Sequence, residues 1–178
     1  MKCLALLLTL CLSLPASAND LWSGPDGQPL PDTASRQAKR GFSGALVITA
    51  DRDWAMKWAN PAEGAPAIAG ATEVRRGGQL AVLVFFANPR LDAARKADVR
   101  CDIRVLRPDG SVSADQKNLV CYQGPALGDE HHTYLSAPVV KFTAEPADLA
   151  GPWTVSVTLR DGGRRVTLPL EAKFTLVD

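Results

Sequence analysis

The sequence predicts an all-β protein, folded as an antiparallel sandwich of about seven to nine strands with one disulfide within the domain. From residue 42 onward, apolar side chains recur at every second position in short runs, which is the period of a strand. Glycine, proline and aspartate separate these runs, and no stretch carries a sustained helical stripe. A barrel is the alternative arrangement for the same pattern.

The clearest strands lie in the second half of the chain. Within the strand predicted over residues 98–107, apolar and charged side chains alternate from 98 to 105, and residues 153–160 alternate in the same way. Residues 165–177 return with apolar side chains at even numbers, so the last two strands form a predicted hairpin. We expect the glycines of Asp161-Gly162-Gly163 to supply a positive φ in its turn. Pro169 has no N–H for a ladder and predicts a sheet edge or a bulge.

Other strands are predicted earlier in the chain and between these. Residues 80–87 are apolar on both strand phases, which is typical of a central strand covered on both faces. Four further strands are expected over residues 45–50, 54–59, 118–123 and 138–143. The long loops are then 60–70 and 124–134.

The chain divides into a signal peptide (1–18), an extended or mobile arm (19–41) and a single sandwich domain (42–178). Lys2 precedes an apolar run, Pro15 ends that run, and small residues lead to a predicted cleavage between Ala18 and Asn19. The expected location is therefore the periplasm or the extracellular space. A lipidated form would begin at Cys11, but a leucine stands just before it where such a signal has a small residue.

The charge of the chain argues against nucleic acid as a partner, and its hydropathy argues against a membrane span. The whole chain has 20 basic and 19 acidic residues, and the leader removes one lysine and no acid, so the mature chain is formally neutral. Nucleic-acid binding requires a positive field that displaces counterions from phosphates, so we expect no nucleic acid as partner. No transmembrane segment is expected in the mature chain, because none of its apolar runs approaches the length of about 20 residues that a helical span needs.

One motif resembles a known domain class. Residues 148–155 read D-L-A-G-P-W-T-V, which is similar to the D-x-x-G-x-Y/W-x-V pattern opening a late strand in immunoglobulin-like sandwiches of secreted bacterial proteins. The resemblance covers about thirty residues, including the final hairpin, and implies an immunoglobulin-like architecture. Trp153 lacks the hydroxyl of a tyrosine corner, and Val155 stands where antibody-type domains have a cysteine. The resemblance implies no activity, because such sandwiches host many functions.

Two cysteines survive removal of the leader, Cys101 and Cys121, with a turn-forming Pro-Asp-Gly-Ser run at 108–111 between them. Folding the two flanking strands onto each other brings the cysteines together, so we predict a structural disulfide. A redox pair is the alternative, but it usually has C-x-x-C spacing and an exposed thiolate.

Trp54, Met56 and Trp58 share one phase of the strand predicted over residues 54–59. Because Lys57 lies on the opposite phase, we expect the tryptophans to be buried between the two sheets. If that face is exposed instead, the two indoles form a binding surface for sugar rings or for apolar residues of a partner.

His131 and His132 are the only histidines and lie beside Asp129 and Glu130. Imidazole and carboxylate are suitable ligands for zinc or copper. Adjacent residues on a strand point to opposite faces, however, so a solvated polar loop is the preferred interpretation. We expect no cofactor and treat the two histidines as weak metal candidates.

A run of charged residues accompanies the strand over 98–107. Basic and acidic side chains alternate in it: Arg90, Arg95, Lys96, Arg100, Arg104 and Arg107 with Asp92, Asp98 and Asp102. A solvated surface of cross-strand pairs is the expected interpretation. Recognition of an acidic partner is the alternative.

No G-x-S-x-G, H-E-x-x-H or phosphate-binding glycine loop occurs, so we expect no enzyme. The leading hypothesis is a non-catalytic module that binds another envelope or extracellular protein. A small-ligand module is the second, for carbohydrate through Trp54 and Trp58 or for metal through the histidines. A hydrolase without a readable motif, for example one pairing Ser136 with His132, is the third.

Overall fold

The computed structural model describes residues 30–60, 66, 68–129 and 132–178. The predicted signal peptide and the first part of the arm lie outside these residues. The described chain is mostly β-structure with one short helix, as predicted for the fold class. Its elements are β1 Arg36–Lys39, β2 Phe42–Thr49, α1 Trp54–Ala59, β3 Glu73–Arg75, β4 Gln79–Ala87, β5 Lys96–Leu106, β6 Val112–Pro125, β7 Thr133–Leu135, β8 Val140–Thr143, β9 Gly151–Asp161 and β10 Val166–Val177.

The strands form two sheets. In the first sheet the order is β1-β2-β4, and both β7 and β8 pair with the remaining side of β4, one at each end. The second sheet has the order β3-β10-β9-β5-β6, in which β3 and β10 are parallel and the other neighbours antiparallel. The predicted terminal hairpin is confirmed as β9–β10, with continuous register from Val166–Asp161 to Leu176–Gly151.

One apolar core joins the inner faces of the two sheets. Alternation along each strand places every second side chain in it, because successive residues of a strand point to opposite faces. Its largest fully buried side chains are Trp153, Phe42, Phe86, Phe174, Ile103, Leu159, Leu168, Leu170 and Leu176.

The outer face of β4 is also apolar and carries a second cluster built on Ala81, Leu83 and Phe85. Helix α1 covers this cluster, and the Trp58 ring lies 5.3 Å from the Phe85 ring. The prediction that β4 is covered on both faces is therefore confirmed. The cover comes from a helix because the second face of β4 has no further sheet to pack against.

The strand predicted over residues 54–59 is wrong, since these residues form α1. Trp54 and Trp58 satisfy a period of two and also the i, i+4 spacing of one helical face, and so short a segment does not distinguish the two. Both indoles are half-buried outside the first sheet rather than between the sheets, and Met56 is 61% exposed.

The contact of Trp58 with the outer face of β4 predicts a moderate stability effect. Trp58→Ala should lower the free energy of unfolding by about 1.5–2.5 kcal/mol, because a half-buried indole loses part of its apolar contact. Urea denaturation measures this, and Met56→Ala on the exposed side of the helix should change it by less than about 0.5 kcal/mol. Equal effects of the two substitutions would show that α1 does not cover the sheet.

Three short strands lie where the sequence predicts none. β1 lies within the predicted arm, β7 lies at the end of the predicted loop 124–134, and β3 precedes β4. Each has three or four residues, which is too few for a visible alternation. Pro169 behaves as predicted: it pairs with Thr158 on β9, while β3 pairs only with the last three residues of β10.

The turn between β9 and β10 differs from the prediction. Neither Gly162 nor Gly163 has a positive φ, and Arg165, at 54°, takes the left-handed conformation instead. Gly163 is required for another reason, because a Cβ there would lie 2.8 Å from Cβ of Arg90 and 3.0 Å from its carbonyl oxygen. The glycine therefore allows the β4–β5 loop to approach the hairpin closely.

The predicted disulfide is confirmed: Cys101 on β5 and Cys121 on β6 are bonded, with their Cα atoms 5.9 Å apart and both side chains buried. It joins neighbouring strands of the second sheet at a point where their register is irregular.

Removing this disulfide should lower stability without changing the fold. Cys101→Ala with Cys121→Ala opens the loop that the disulfide closes between residues 20 positions apart. The loop-entropy model predicts a decrease of about 3 kcal/mol in the free energy of unfolding. The variant should melt at lower temperature and keep its β circular dichroism at low temperature. An unchanged melting temperature, or free thiols in the protein taken from its native compartment, would contradict a structural role.

Asp102 and Arg160 form a bidentate ion pair on the outer face of the second sheet, with both N–O distances 2.7 Å. The hydrogen bonds from Arg160, together with one from the backbone N–H of Asn118, hold the pKa of Asp102 well below its usual value. A carboxylate with a depressed pKa stabilises the fold above its unfolded pKa of about 4 and loses that contribution as pH falls.

This ion pair therefore predicts a pH-dependent difference between two proteins. Asp102→Asn should be less stable than the wild type by about 1–2 kcal/mol at neutral pH. The difference should shrink as pH falls from about 4 toward the depressed pKa of the folded state, because over this range the unfolded wild type binds a proton that the folded ion pair excludes. Urea titrations across this range measure it, with Asp115→Asn in an exposed pair as control. A difference that is constant with pH would contradict the assignment.

Candidate functional site

Four connections meet at one end of the two sheets, which we call the arginine end. They are the β1–β2 turn (40–41), the β4–β5 loop (88–95), the described part of the β6–β7 loop (126–129 and 132) and the β9–β10 turn (162–165). Arg164 joins three of them, because its guanidinium donates to the carbonyl of Asn88 at 3.2 Å and to that of Arg40 at 3.1 Å. The fourth is joined by the bond from the N–H of Ala126 to the carbonyl of Arg95.

Asp161 anchors this end from inside. Its side chain is buried and accepts the backbone N–H groups of Arg90 at 2.8 Å, Gly163 at 2.9 Å and Arg164 at 3.2 Å. The guanidinium of Arg164 lies 3.5 Å from the same carboxylate. A charged acceptor with several donors holds the β4–β5 loop against the last hairpin.

Left-handed backbone is concentrated at the arginine end. Five non-glycine residues in the described chain have a positive φ, and four of them lie here: Arg40 (51°), Asn88 (51°), Arg95 (57°) and Arg165 (54°). Asparagine tolerates this region, whereas arginine gains nothing from it and glycine adopts it more readily. At these three positions glycine or asparagine would give a more stable protein than arginine does. Positions with such backbone strain cluster at functional sites.

A cleft of about 320 Å³ opens at this end, lined by Arg90, Arg95 and Arg164, with the carboxylate of Asp129 at the same cleft. Arg164 is held by the carbonyls described above. The guanidinium groups of Arg90 and Arg95, by contrast, form no hydrogen bond or ion pair with a described residue, and both side chains are exposed. The cleft thus presents two arginines available to a ligand.

Tyr134 lies beneath this cleft and is buried. Its ring stacks on Phe86 with 5.0 Å between centroids, and its hydroxyl accepts the N–H of Leu127 at 2.9 Å. Tyr122 packs against it at 4.9 Å, and burial raises the pKa of Tyr122. The lower wall of the cleft is therefore rigid, aromatic and uncharged.

Of the predicted metal and catalytic candidates, His132 and Ser136 belong to the described residues. His131 lies outside the described residues, and His132 is exposed, edge-on to Tyr134. Ser136 is buried and donates to the carbonyl of Pro138 at 3.1 Å. Within residues 30–60, 66, 68–129 and 132–178, no group of three or more histidine, cysteine or acidic side chains could hold a metal ion.

A second cleft, of about 370 Å³, lies beside α1 and is lined by Trp54, Asp51, Gln79 and Lys141 among others. Asp51 forms an ion pair with Lys57, and this hydrogen bond lowers the pKa of Asp51. One half-buried indole with polar groups around it is a smaller aromatic surface than the two-indole platform proposed from the sequence. Trp58 does not line this cleft.

The sheet edges are protected. β6 is the longest edge strand, but its register with β5 is irregular at three places, and Asn118 has a positive φ of 52°. The other edge of that sheet, β3, has three residues. Bulges and short strands prevent an extra strand from pairing. Loops rather than edges are therefore the accessible binding surfaces.

Only part of the arginine end is predictable from the sequence. Arg90 and Arg95 stand in the alternating charged run, whereas that pattern misses Arg40, Arg164 and Arg165, which are far away in the sequence. The available signal was that arginine stands in two turn-like runs, Arg40-Gly41 and the stretch 162–165.

No protein-family model matches this chain, and no curated protein matches it by sequence. Among solved structures, a family 123 glycoside hydrolase from Clostridium perfringens is similar at 7% identity and a TM-score of 0.42, over 76% of this chain and 27% of that one. This chain thus spans about a quarter of that hydrolase.

Two smaller proteins are similar over most of their length. A Niemann-Pick type C2 protein from Japanese carpenter ant has 12% identity and a TM-score of 0.37, covering 74% of this chain and 89% of that one. A CARDB domain from Pyrococcus furiosus has 12% identity and a TM-score of 0.38, covering 83% and 98%. No family assignment follows from these similarities. In the described chain, no helix is long and apolar enough to cross a membrane.

Proposed function

We propose that this chain is an exported, non-catalytic module of the bacterial periplasm or cell surface that binds another protein through the arginine end. The observation that carries the proposal is the set of three left-handed arginines in loops held by the buried Asp161 and by Arg164. Loops fixed on a rigid scaffold are common binding surfaces, because they lose little conformational entropy on association.

The proposed architecture is an immunoglobulin-like sandwich. Two sheets sharing one core support it, as does the 148–155 motif, which leads into β9. Export is supported by the leader sequence and by the buried disulfide, because disulfides persist in oxidising compartments. In such domains the loops cluster at the two ends of the sandwich, which agrees with a binding surface at the arginine end.

Capture of partners from the native envelope tests this proposal. The tagged wild type, an Arg40→Glu/Arg165→Glu variant and a Lys173→Glu control on the outer face of β10 are compared by mass spectrometry. We expect the wild type and the control to recover the same partner, and the double variant to lose it. A partner retained equally by all three proteins would contradict the arginine end as the interface.

Carbohydrate binding at the α1 cleft is a second candidate, favoured by the position of Trp54 among polar side chains. An indole face stacks on sugar rings, and the surrounding amide, carboxylate and ammonium groups can bond hydroxyls. Titration with soluble glycans, followed by tryptophan fluorescence, tests it. A response that Trp54→Ala abolishes and the arginine variants leave unchanged supports this candidate.

A further inference from the structure

We propose that the cleft between Arg90 and Arg95 binds the carboxylates of an acidic segment of a partner protein. The proposal rests on the proposed function and names the chemistry that the arginine end recognises. It starts from two exposed guanidinium groups at one cleft, neither of which forms a hydrogen bond or ion pair with a described residue.

The main chain beneath both arginines is fixed. The N–H of Arg90 is bound by Asp161, and Gly163 packs directly against Arg90. Arg95 is held on both sides, because its N–H donates to the carbonyl of Asp92 at 3.0 Å and its carbonyl accepts the N–H of Ala126 at 3.1 Å. The guanidinium groups therefore extend from a preformed backbone, which reduces the ordering required on binding.

Basic residues predominate around this cleft although the whole chain has a formal charge of only +1. The neighbouring connections add Arg40, Arg164 and Arg165. Of the nearby carboxylates, Asp129 lies at the same cleft, Asp161 is buried, and Asp92 accepts the backbone N–H groups of its own loop. Three carboxylates thus stand against five arginines at this end. The positive charges at this end are thus only partly compensated by the described residues.

The type of cation and the surroundings favour carboxylates on a peptide. Arginine binds a carboxylate with two parallel hydrogen bonds, a geometry that lysine does not provide. Single-stranded nucleic acid is usually bound by exposed aromatic side chains on which its bases stack, whereas Tyr134, the aromatic residue at this cleft, is only 4% exposed. An extended acidic segment can contact the cleft and the neighbouring arginines together.

Fluorescence anisotropy with a labelled oligoglutamate peptide tests the inference in low-salt buffer. We expect binding by the wild type and about a tenfold weaker Kd for Arg90→Gln or Arg95→Gln, since each loses a charge-assisted contact. Arg104→Gln is the matched control, because Arg104 is also exposed and has no acceptor among the described residues. Arg90→Lys keeps the positive charge but lacks the planar guanidinium that bonds both carboxylate oxygens, so it should still bind more weakly than the wild type. Melting curves verify that each variant is folded.

Three results would overturn the inference. They are equal binding of an oligoglutamine peptide, equal weakening by Arg104→Gln, and preference for inorganic polyphosphate, which would identify a phosphate polymer as the ligand. If the oligoglutamate peptide does not bind but the envelope partner is still captured through Arg40 and Arg165, the recognition of acidic segments is rejected and the proposed function stands. Peptide binding without any captured partner would instead reject the proposed function.

Discussion

Trp153→Ala should lower the free energy of unfolding by about 3–5 kcal/mol, one of the two largest losses expected from a single side chain in this protein. Trp153 is fully buried between the sheets, with Phe142 at 4.9 Å and Phe174 at 6.0 Å between ring centroids. Its indole N–H also donates to the carbonyl of Leu149 at 3.0 Å, and Arg107 lies over the ring. Truncation removes all these contacts and leaves a cavity.

Urea denaturation measures the effect, and Trp153→Phe is the matched variant. Phenylalanine retains a ring in the core and should recover part of the loss, while the bond to Leu149 and some volume stay absent. Trp58→Ala should have a clearly smaller effect, because that indole is half-buried. If Trp153→Ala costs less than about 1 kcal/mol, the proposed position of this residue in the core is wrong.

Asp161→Ala should also be severely destabilising, by about 3–5 kcal/mol. The substitution leaves three backbone N–H groups and Arg164 without the buried carboxylate that they share. The loss should be accompanied by faster amide hydrogen exchange in the β4–β5 loop and the β9–β10 turn, because this carboxylate holds them together.

Two comparisons isolate the role of this buried carboxylate. Asp161→Asn keeps the size and one acceptor oxygen, so it should be less destabilising than alanine. Asp109→Ala removes another turn carboxylate, one that accepts the N–H of Ser111 from an exposed position, and should change stability by less than about 1 kcal/mol. Similar losses from Asp109→Ala and Asp161→Ala would mean that Asp161 does not anchor the arginine end.

The strands that alternate over many residues are predictable from local patterns alone. β5, β9 and β10 follow directly from side chains that face opposite sides of a pleated strand. The disulfide was also predictable, because two cysteines on strands joined by one turn can meet without help from the rest of the chain. The apolar character of β4 on both phases indicated that something covers its outer face.

What covers β4 and where the arginines meet depend on contacts between residues far apart in the chain. Residues 54–59 fit a strand or a helix equally well locally, and the apolar outer face of β4 selects the helix. β1, β3 and β7 are too short for their own signal and exist because neighbouring strands pair with them. The arginine end combines residues from 40 to 165, and the bonds of Asp161 and Arg164 that assemble it connect positions up to 124 residues apart. Local patterns determine single strands. A site built from four loops depends instead on where the two sheets place the ends of the strands that these loops connect.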